Sequence, residues 1–223
     1  ILPCRDGEFR SAKSGAVRIT TYTDPWLPPR EFGDVVLRTT DTALRGLMDA
    51  LDVPKLMPAD IRDRIEVVAP ELTPGDRARL LFDLLAADLL PNPPPRLLID
   101  SDGHLIDSSA TVFISSSSDH ALAVPEWLHL RFLHSGLLKE LQACFSVRTT
   151  EELRSRLPSY RLRAYSLANV VGAVNARLRE RIEAEPHLER EIRLEALQVM
   201  KSLHAESKTV ERYGGAAIAV LNR

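Results

Sequence analysis

The spacing of apolar and polar positions divides the chain into two passages that begin alike. "LPCRDGEFRSAKSGAVRITTY" (2–22) sets an Asp-Gly turn between short apolar stretches and follows it with a β-branched run in rough alternation, the pattern of a hairpin and a strand. The prolines of "DPWLPPREFGD" (24–34) work against regular structure and predict a loop. After Asp41 the period lengthens from two to that of a helix. Asp41 is placed to cap "TALRGLMDAL", where Leu44, Leu47, Met48 and Leu51 share one face. "PADIRDRI" (58–65) reads as a short second helix. "TPGDRARLLFDLLAADLL" (73–90) reads as a third, with Thr73 as its cap, Pro74 in its first position and Leu80, Leu81, Leu84 and Leu85 as its apolar stripe.

"PNPPP" (91–95) interrupts the chain, and its prolines predict a stiff, extended linker. The pattern then starts again. "RLLIDSDGHLIDSSATVFI" (96–114) reads as short strands around a second Asp-Gly turn, and "SSSSD" (115–119) as a polar loop. "PEWLHLRFLHSGLLKELQACF" (125–145) predicts one helix starting at Pro125, with Leu130, Leu133, Leu137, Leu138 and Leu141 inward. A short capped helix at "TTEELRSRL" (149–157) and a long one at "SLANVVGAVNARLRERI" (166–182), capped by Ser166, come next. "PHLEREIRLEALQVMKSLHAES" (186–207) predicts the last helix, with Ile192, Leu194, Leu197, Met200 and Leu203 as its apolar set. The tail "YGGAAIAVLNR" reads as a strand cut off from its continuation.

The two passages can be laid on one another. From Asp6 to Asp102 the offset is 96 (102 − 6). "ALRGLMDALDV" then matches "LLKELQACFSV", "ADIRDRI" matches "EELRSRL", and "RARLLFDLLAADLL" matches "SLANVVGAVNARLR". Agreement of several elements in one order predicts an internal repeat. The expected fold is α+β, built as two tandem related units over 1–90 and 96–182, each a small hairpin or sheet packed on helices. The proline linker 91–95 joins them, and 183–223 forms a C-terminal helix and tail.

Candidate chemistry centres on "LLIDSDGH". An apolar strand running into Asp100-Ser101-Asp102-Gly103 is close to the D-x-D-G-T nucleophile motif of haloacid-dehalogenase-like phosphatases. That reading makes Asp100 the nucleophile and Asp102 the general acid/base of an Mg²⁺-dependent phosphohydrolase. Against it, His104 stands where the motif has Thr. The helix-after-helix pattern downstream lacks the βα alternation of a doubly wound sheet, and the first copy has Cys4 where the second has Asp100. A hairpin turn that uses Asp and Gly for backbone geometry accounts for both copies.

Other motifs add little. The spacing of Asp100, Asp102 and Gly103 is wrong for an EF-hand, with Thr111 where the closing Glu belongs. Histidines 104, 120, 129, 134, 187 and 204 make no metal-type spacing. "SSSS" lacks a nucleophile-elbow context, and no phosphate-cradling or dinucleotide fingerprint is present. No cofactor is expected. Trp26 and Trp127, each beside a proline-rich loop, and Phe132 read first as core anchors and second as exposed interaction anchors. The dense charges of 177–195 read as a solvated helix face.

With 44% apolar and 27% charged residues among 223, the chain has the balance of an ordinary globular domain. A net charge of −2 argues against a nucleic-acid partner. No apolar run approaches the roughly 20 residues that span a bilayer. Cys4 and Cys144, far apart, suit free thiols in the cytoplasm. The Ile at position 1 suggests a piece of a longer polypeptide.

"LPCRDGEFRSAKSGAVRI" followed by leucine helices, then "LLIDSDGHLIDSSATVFI", "VPEWLHLRFL" and "LLKELQACF", resembles a recurrent segment of large bacterial proteins related to sacsin. The matching positions are Pro3, Asp6, Gly7, Phe9 and Val17, then Asp102, Gly103, Ser109, Val112, Pro125, Trp127, Phe132 and Leu133. They span about residues 1–180. The second copy departs from the pattern, with Ile99 or Asp100 where a proline is usual. In that family a GHKL-type, chaperone-type ATPase domain precedes long α+β segments. The Asn-bearing helix and Asp-x-Gly-x-Gly loop of such an ATPase site are missing from this sequence. The resemblance therefore implies a non-catalytic interaction or scaffold segment whose partners are proteins or other domains of the same polypeptide. A stand-alone adaptor or regulatory domain is a further alternative.

Overall fold

The computed structural model describes residues 1–223 except 14, 20–23, 38, 40, 115–130, 165–166 and 207–223, with backbone alone for 167–171, 173 and 202–206. The fold is α+β. Strands β1 (Leu2–Pro3) and β2 (Phe9–Arg10) pair antiparallel around the first Asp-Gly turn. Helices α1 (Pro29–Phe32), α2 (Thr42–Ala50), α3 (Pro58–Val68) and α4 (Pro74–Ala86) follow. After the second turn come β3 (Thr111–Ile114), β4 (Arg131–Phe132), α5 (Ser135–Phe145), α6 (Thr150–Arg156) and β5 (Arg161–Ala164), and then α7 (Leu167–Ala184) and α8 (Glu189–Glu206).

Local signals set several helix ends as expected. The Asp41 carboxylate accepts from the N–H groups of Ala43 and Leu44, and the Thr73 hydroxyl accepts from the N–H of Asp76. Thr149 and Glu152 form a reciprocal capping box on α6. The Glu152 carboxylate accepts from the N–H of Arg148 at 2.8 Å and of Thr149 at 3.0 Å, and these bonds hold its pKa below the usual glutamate range. A carboxyl depressed by folding stabilises the native state above its unfolded pKa and loses that effect as pH falls through the folded one. The stability gap between wild type and Glu152→Gln, measured by urea titration, is expected to narrow as pH is lowered through the carboxylate range. A gap that stays constant would show that the cap does not titrate.

Other elements differ from expectation because tertiary pairing overrides local pattern. The proline-rich loop contains the single turn α1, started by Pro29 and closed over a fully buried Phe32. Of the helix expected over 125–145, α5 covers Ser135–Phe145, and 125–130 lie outside the described residues. Arg131–Phe132 is drawn into a sheet, and His134 caps α5 by accepting the Leu137 N–H on Nδ1 at 3.3 Å. That sheet, in the order β4-β3-β5, is parallel throughout. Its third strand, "RLRA", alternates too briefly and carries too much charge to be read as a strand. Among the residues expected inward, Leu47, Leu51 and Leu194 are exposed.

One apolar cluster runs through both halves, from Leu27, Phe32 and Ile61 through the α4 leucines to Leu97, Val112, Leu137 and Leu162. The proline segment packs into it. Pro91, Pro94 and Pro95 are buried, and the Tyr160 hydroxyl donates to the Pro95 carbonyl at 2.7 Å. A smaller cluster of Leu2, Cys4, Ala12, Ala16, Val36, Met48 and Val53 lies under the first hairpin.

Several backbone hydrogen bonds of the first half have counterparts in the second. Cys4 N–H donates to Glu8 C=O, and Asp100 N–H to His104 C=O, each at 2.9 Å. Arg5 N–H donates to Val35 C=O, and Ser101 N–H to Phe132 C=O, again each at 2.9 Å. Val36 N–H reaches Val17 C=O as Leu133 N–H reaches Phe113 C=O, and Leu37 reaches Pro3 as His134 reaches Ile99. The residue numbers in these pairs differ by 96 or 97. The ends of α2 and α5 also agree: Asp52 and Ser146 are both left-handed, and Val53 N–H bonds Met48 C=O as Val147 N–H bonds Gln142 C=O. Residues 17–18 lie parallel to Val35 and Lys55 through isolated bridges, as β3 lies parallel to β4 and β5. This correspondence shifts the last two matches of the sequence overlay, since α3 then aligns with α7 and α4 with α8. The third strand position, Lys55 or β5, is followed by α3 or α7, so 59–65 corresponds to the start of α7 rather than to α6.

Candidate functional site

The second Asp-Gly turn holds the residues singled out for chemistry. Gly103 is left-handed at φ 86°, and its N–H donates to the Asp100 carbonyl at 2.9 Å. Only glycine adopts that conformation without steric cost, and Gly7 (φ 83°) does the same in the first turn. Asp100 points inward and is 2% exposed. One carboxylate oxygen, Oδ1, accepts the N–H of Asp102 at 3.1 Å and of His104 at 2.9 Å. The other, Oδ2, accepts the Arg131 guanidinium at 2.8 Å. Asp102 and His104 are exposed on the turn, and the His104 Nδ1 lies 3.6 Å from Asp100 Oδ1.

Ligand atoms of Asp100, Asp102 and His104 fall within 4.8 Å of one another. This clustering follows from a tight turn whose buried carboxylate already serves three donors. A phosphatase nucleophile needs an oxygen free to attack, and a metal ligand needs a lone pair directed at the ion. Asp100 gives one oxygen to two turn N–H groups and the other to Arg131, while Asp102 contributes its main-chain N–H to that turn. Asp100 also lies in an antiparallel bridge to Leu133 rather than at the carboxyl end of a parallel strand.

In the first copy the corresponding pair is Cys4 and Asp34. The Cys4 thiol is buried and donates to the Asp34 main-chain carbonyl at 3.4 Å. Burial raises its pKa, with the nearby Arg10 only partly offsetting this. The Asp34 carboxylate turns instead to Arg64 on α3, at 2.5 and 2.9 Å. Where the second copy has an acid facing an arginine, the first has a neutral thiol and moves its charge pair elsewhere. Asp107 and Ser109 repeat the next turn: Ser109 N–H bonds Asp107 as Lys13 N–H bonds Ser11. The Ser109 hydroxyl and N–H together depress the Asp107 pKa.

Of the interaction candidates, Trp26 is half-buried against the main cluster. Its main-chain N–H donates to the Asp83 carboxylate at 2.7 Å, and its ring lies 5.4 Å from the Arg79 guanidinium, which is a tethered anchor. Phe132 is half-buried in β4 with its ring 5.9 Å from that of Phe113. Trp127 lies outside the described residues.

Sequence reasoning missed two arginines. Arg131 was hidden inside the expected helix. Arg77, on α4, is 3% exposed. Its guanidinium donates to main-chain carbonyls at Leu72 (2.9 Å), Leu97 (3.3 Å) and Ala69, and burial lowers its pKa. Its only sequence signal is that it precedes the α4 leucine stripe by three positions, on nearly the same face. Among the described residues no helix is long and apolar enough to cross a membrane. Comparisons with protein-family models, with curated proteins and with solved structures give no match.

Proposed function

We propose that the chain is a non-catalytic scaffold segment in which one structural unit occurs twice, serving as the interaction part of a larger sacsin-like, chaperone-type ATPase. The observation that carries this reading is the contrast between the two turns. Their backbone hydrogen bonds coincide, while the side chain that hydrolysis would require is a buried thiol at Cys4 and a buried carboxylate held by the turn and Arg131 at Asp100. Selection that keeps turn geometry and lets the acid vary suits a structural device. The partners are then proteins or further domains of the same polypeptide.

Two measurements test it. The purified chain, given p-nitrophenyl phosphate and Mg²⁺, is expected to show no turnover above the blank, with Asp100→Asn indistinguishable from wild type. Mg²⁺-dependent turnover that disappears in Asp100→Asn would establish the phosphohydrolase reading instead. Independently, the coding sequence upstream should specify a GHKL-type domain. A gene without one removes the ATPase context and leaves an adaptor.

A further inference from the structure

Of the eight large apolar side chains exposed among the described residues of the first half, Met57, Val67 and Phe82 stand apart from the other five. Pro3 lies opposite Phe9 in the β1–β2 pair, and the Cys4–Val36 bridge sets Leu37 opposite Pro3 on its other side. Phe9, Pro3 and Leu37 therefore form a row on one face of three extended segments, and Ile1 shares that face by the two-residue alternation of a strand. Phe9 is 72% exposed. Leu47 on α2 and Leu51 at its C-terminal cap also face solvent.

Each of these positions has a counterpart in the second half, and there the apolar ones are covered. Ile1 and Phe9 correspond to Leu97, which is fully buried, and Leu105, which packs against the main cluster. Leu37 stands where half-buried His134 caps α5. Leu47 and Leu51 correspond, through the matched ends of α2 and α5, to fully buried Leu141 and to Phe145. The cover comes from the helices of the preceding unit. Helix α5 packs along α4, with the Phe145 ring edge-on to Phe82 at 5.3 Å. Arg77 of α4 donates to the Leu97 carbonyl, and Glu66 of α3 holds the Arg96 N–H at 2.9 Å.

We infer that the exposed side chains of Ile1, Phe9, Leu37, Leu47 and Leu51 together line the docking surface for the α3–α4-type helix pair of another unit of the same kind, so that units stack head to tail. The inference rests on the duplicated-unit reading above. The occupant is chemically defined by the contact already present inside the chain. It is a helix pair with a leucine stripe, an aromatic residue at the place of Phe82 to meet Leu51, and an arginine at the place of Arg77 to cap the Ile1 carbonyl. The area left open is apolar at the positions where the internal contact is apolar, which an ordinary solvated face would not require.

The test duplicates residues 1–96 ahead of Ile1 and places a single reporter thiol, Leu47→Cys, in the original first unit on a Cys144→Ser background with Cys4→Ala in both the original and the added unit. The reporter should react with a maleimide about tenfold or more slowly in the extended chain than in the 223-residue chain, since labelling must await local opening. Phe82→Glu in the added unit, a change at an exposed position, should restore the fast rate. A fully folded added unit that leaves the rate unchanged overturns the docking inference and spares the duplicated-unit reading. An added unit that adds no helical circular dichroism overturns both. Concentration-dependent protection of the reporter in the 223-residue chain alone would overturn the inference in favour of a second copy as the occupant.

Discussion

Replacing Arg77 by alanine should cost about 3–5 kcal/mol, enough to leave a domain of ordinary stability largely unfolded. Three main-chain carbonyls, of Ala69, Leu72 and Leu97, take their side-chain donors from this one buried guanidinium. Removing it strips them of charged donors at about 1–3 kcal/mol for each group left unsatisfied, with the costs not fully additive. The alanine also leaves a void beside the α4 leucines. Arg77→Lys should recover only part of the loss, because an ammonium lacks the planar fork that reaches carbonyls in three directions. Urea titration followed by circular dichroism measures both variants. A loss below about 1 kcal/mol for Arg77→Ala would mean that water satisfies those carbonyls and that the junction is looser than its geometry.

Asp100→Ala should be the next most damaging change, at about 2–4 kcal/mol, because two turn N–H groups and the Arg131 guanidinium lose their acceptor together. Asp100→Asn should cost less, about 1–2 kcal/mol. Its amide oxygen can still serve the turn N–H groups, but as a neutral acceptor it holds them less strongly, and the charge facing Arg131 is lost as well. Arg131 is 47% exposed at its side chain, so solvent screens that pair and its own share is well under 1 kcal/mol. A double-mutant cycle with Arg131→Ala isolates it. The order Ala worse than Asn in stability, with no change in phosphate hydrolysis, marks a structural carboxylate. An Asn variant as unstable as the Ala variant would show that the ion pair, rather than the turn, is what Asp100 supplies.

The elements legible in the sequence were those coded by near neighbours. The caps at Asp41, Thr73 and Thr149 depend on a side chain reaching an N–H two or three residues on. The two Asp-Gly turns depend on one left-handed glycine each. The overlay of "LPCRDG" on "LIDSDG" places Cys4 on Asp100, and the hydrogen bonds Cys4–Glu8 and Asp100–His104 agree with it. What was not legible depended on distant partners. "LRFLH" has helical spacing, yet its middle becomes β4 because β3 offers a row of parallel acceptors. "RLRA" becomes β5 for the same reason.

The candidate site divides along the same line. The turn and its glycine were written in four consecutive residues, so the sequence determined where the site is and that two such sites exist. The surroundings of Asp100 were decided only when the chain folded, because they depend on a guanidinium 31 residues away and on the burial of the carboxylate. Arg77 is the stronger case: by composition it is a surface residue, and only the meeting of α4 with the strand at Leu97 buries it. Short-range geometry is carried by residue type and spacing. The burial of a polar group, and therefore its role, is set by which long-range surfaces close over it.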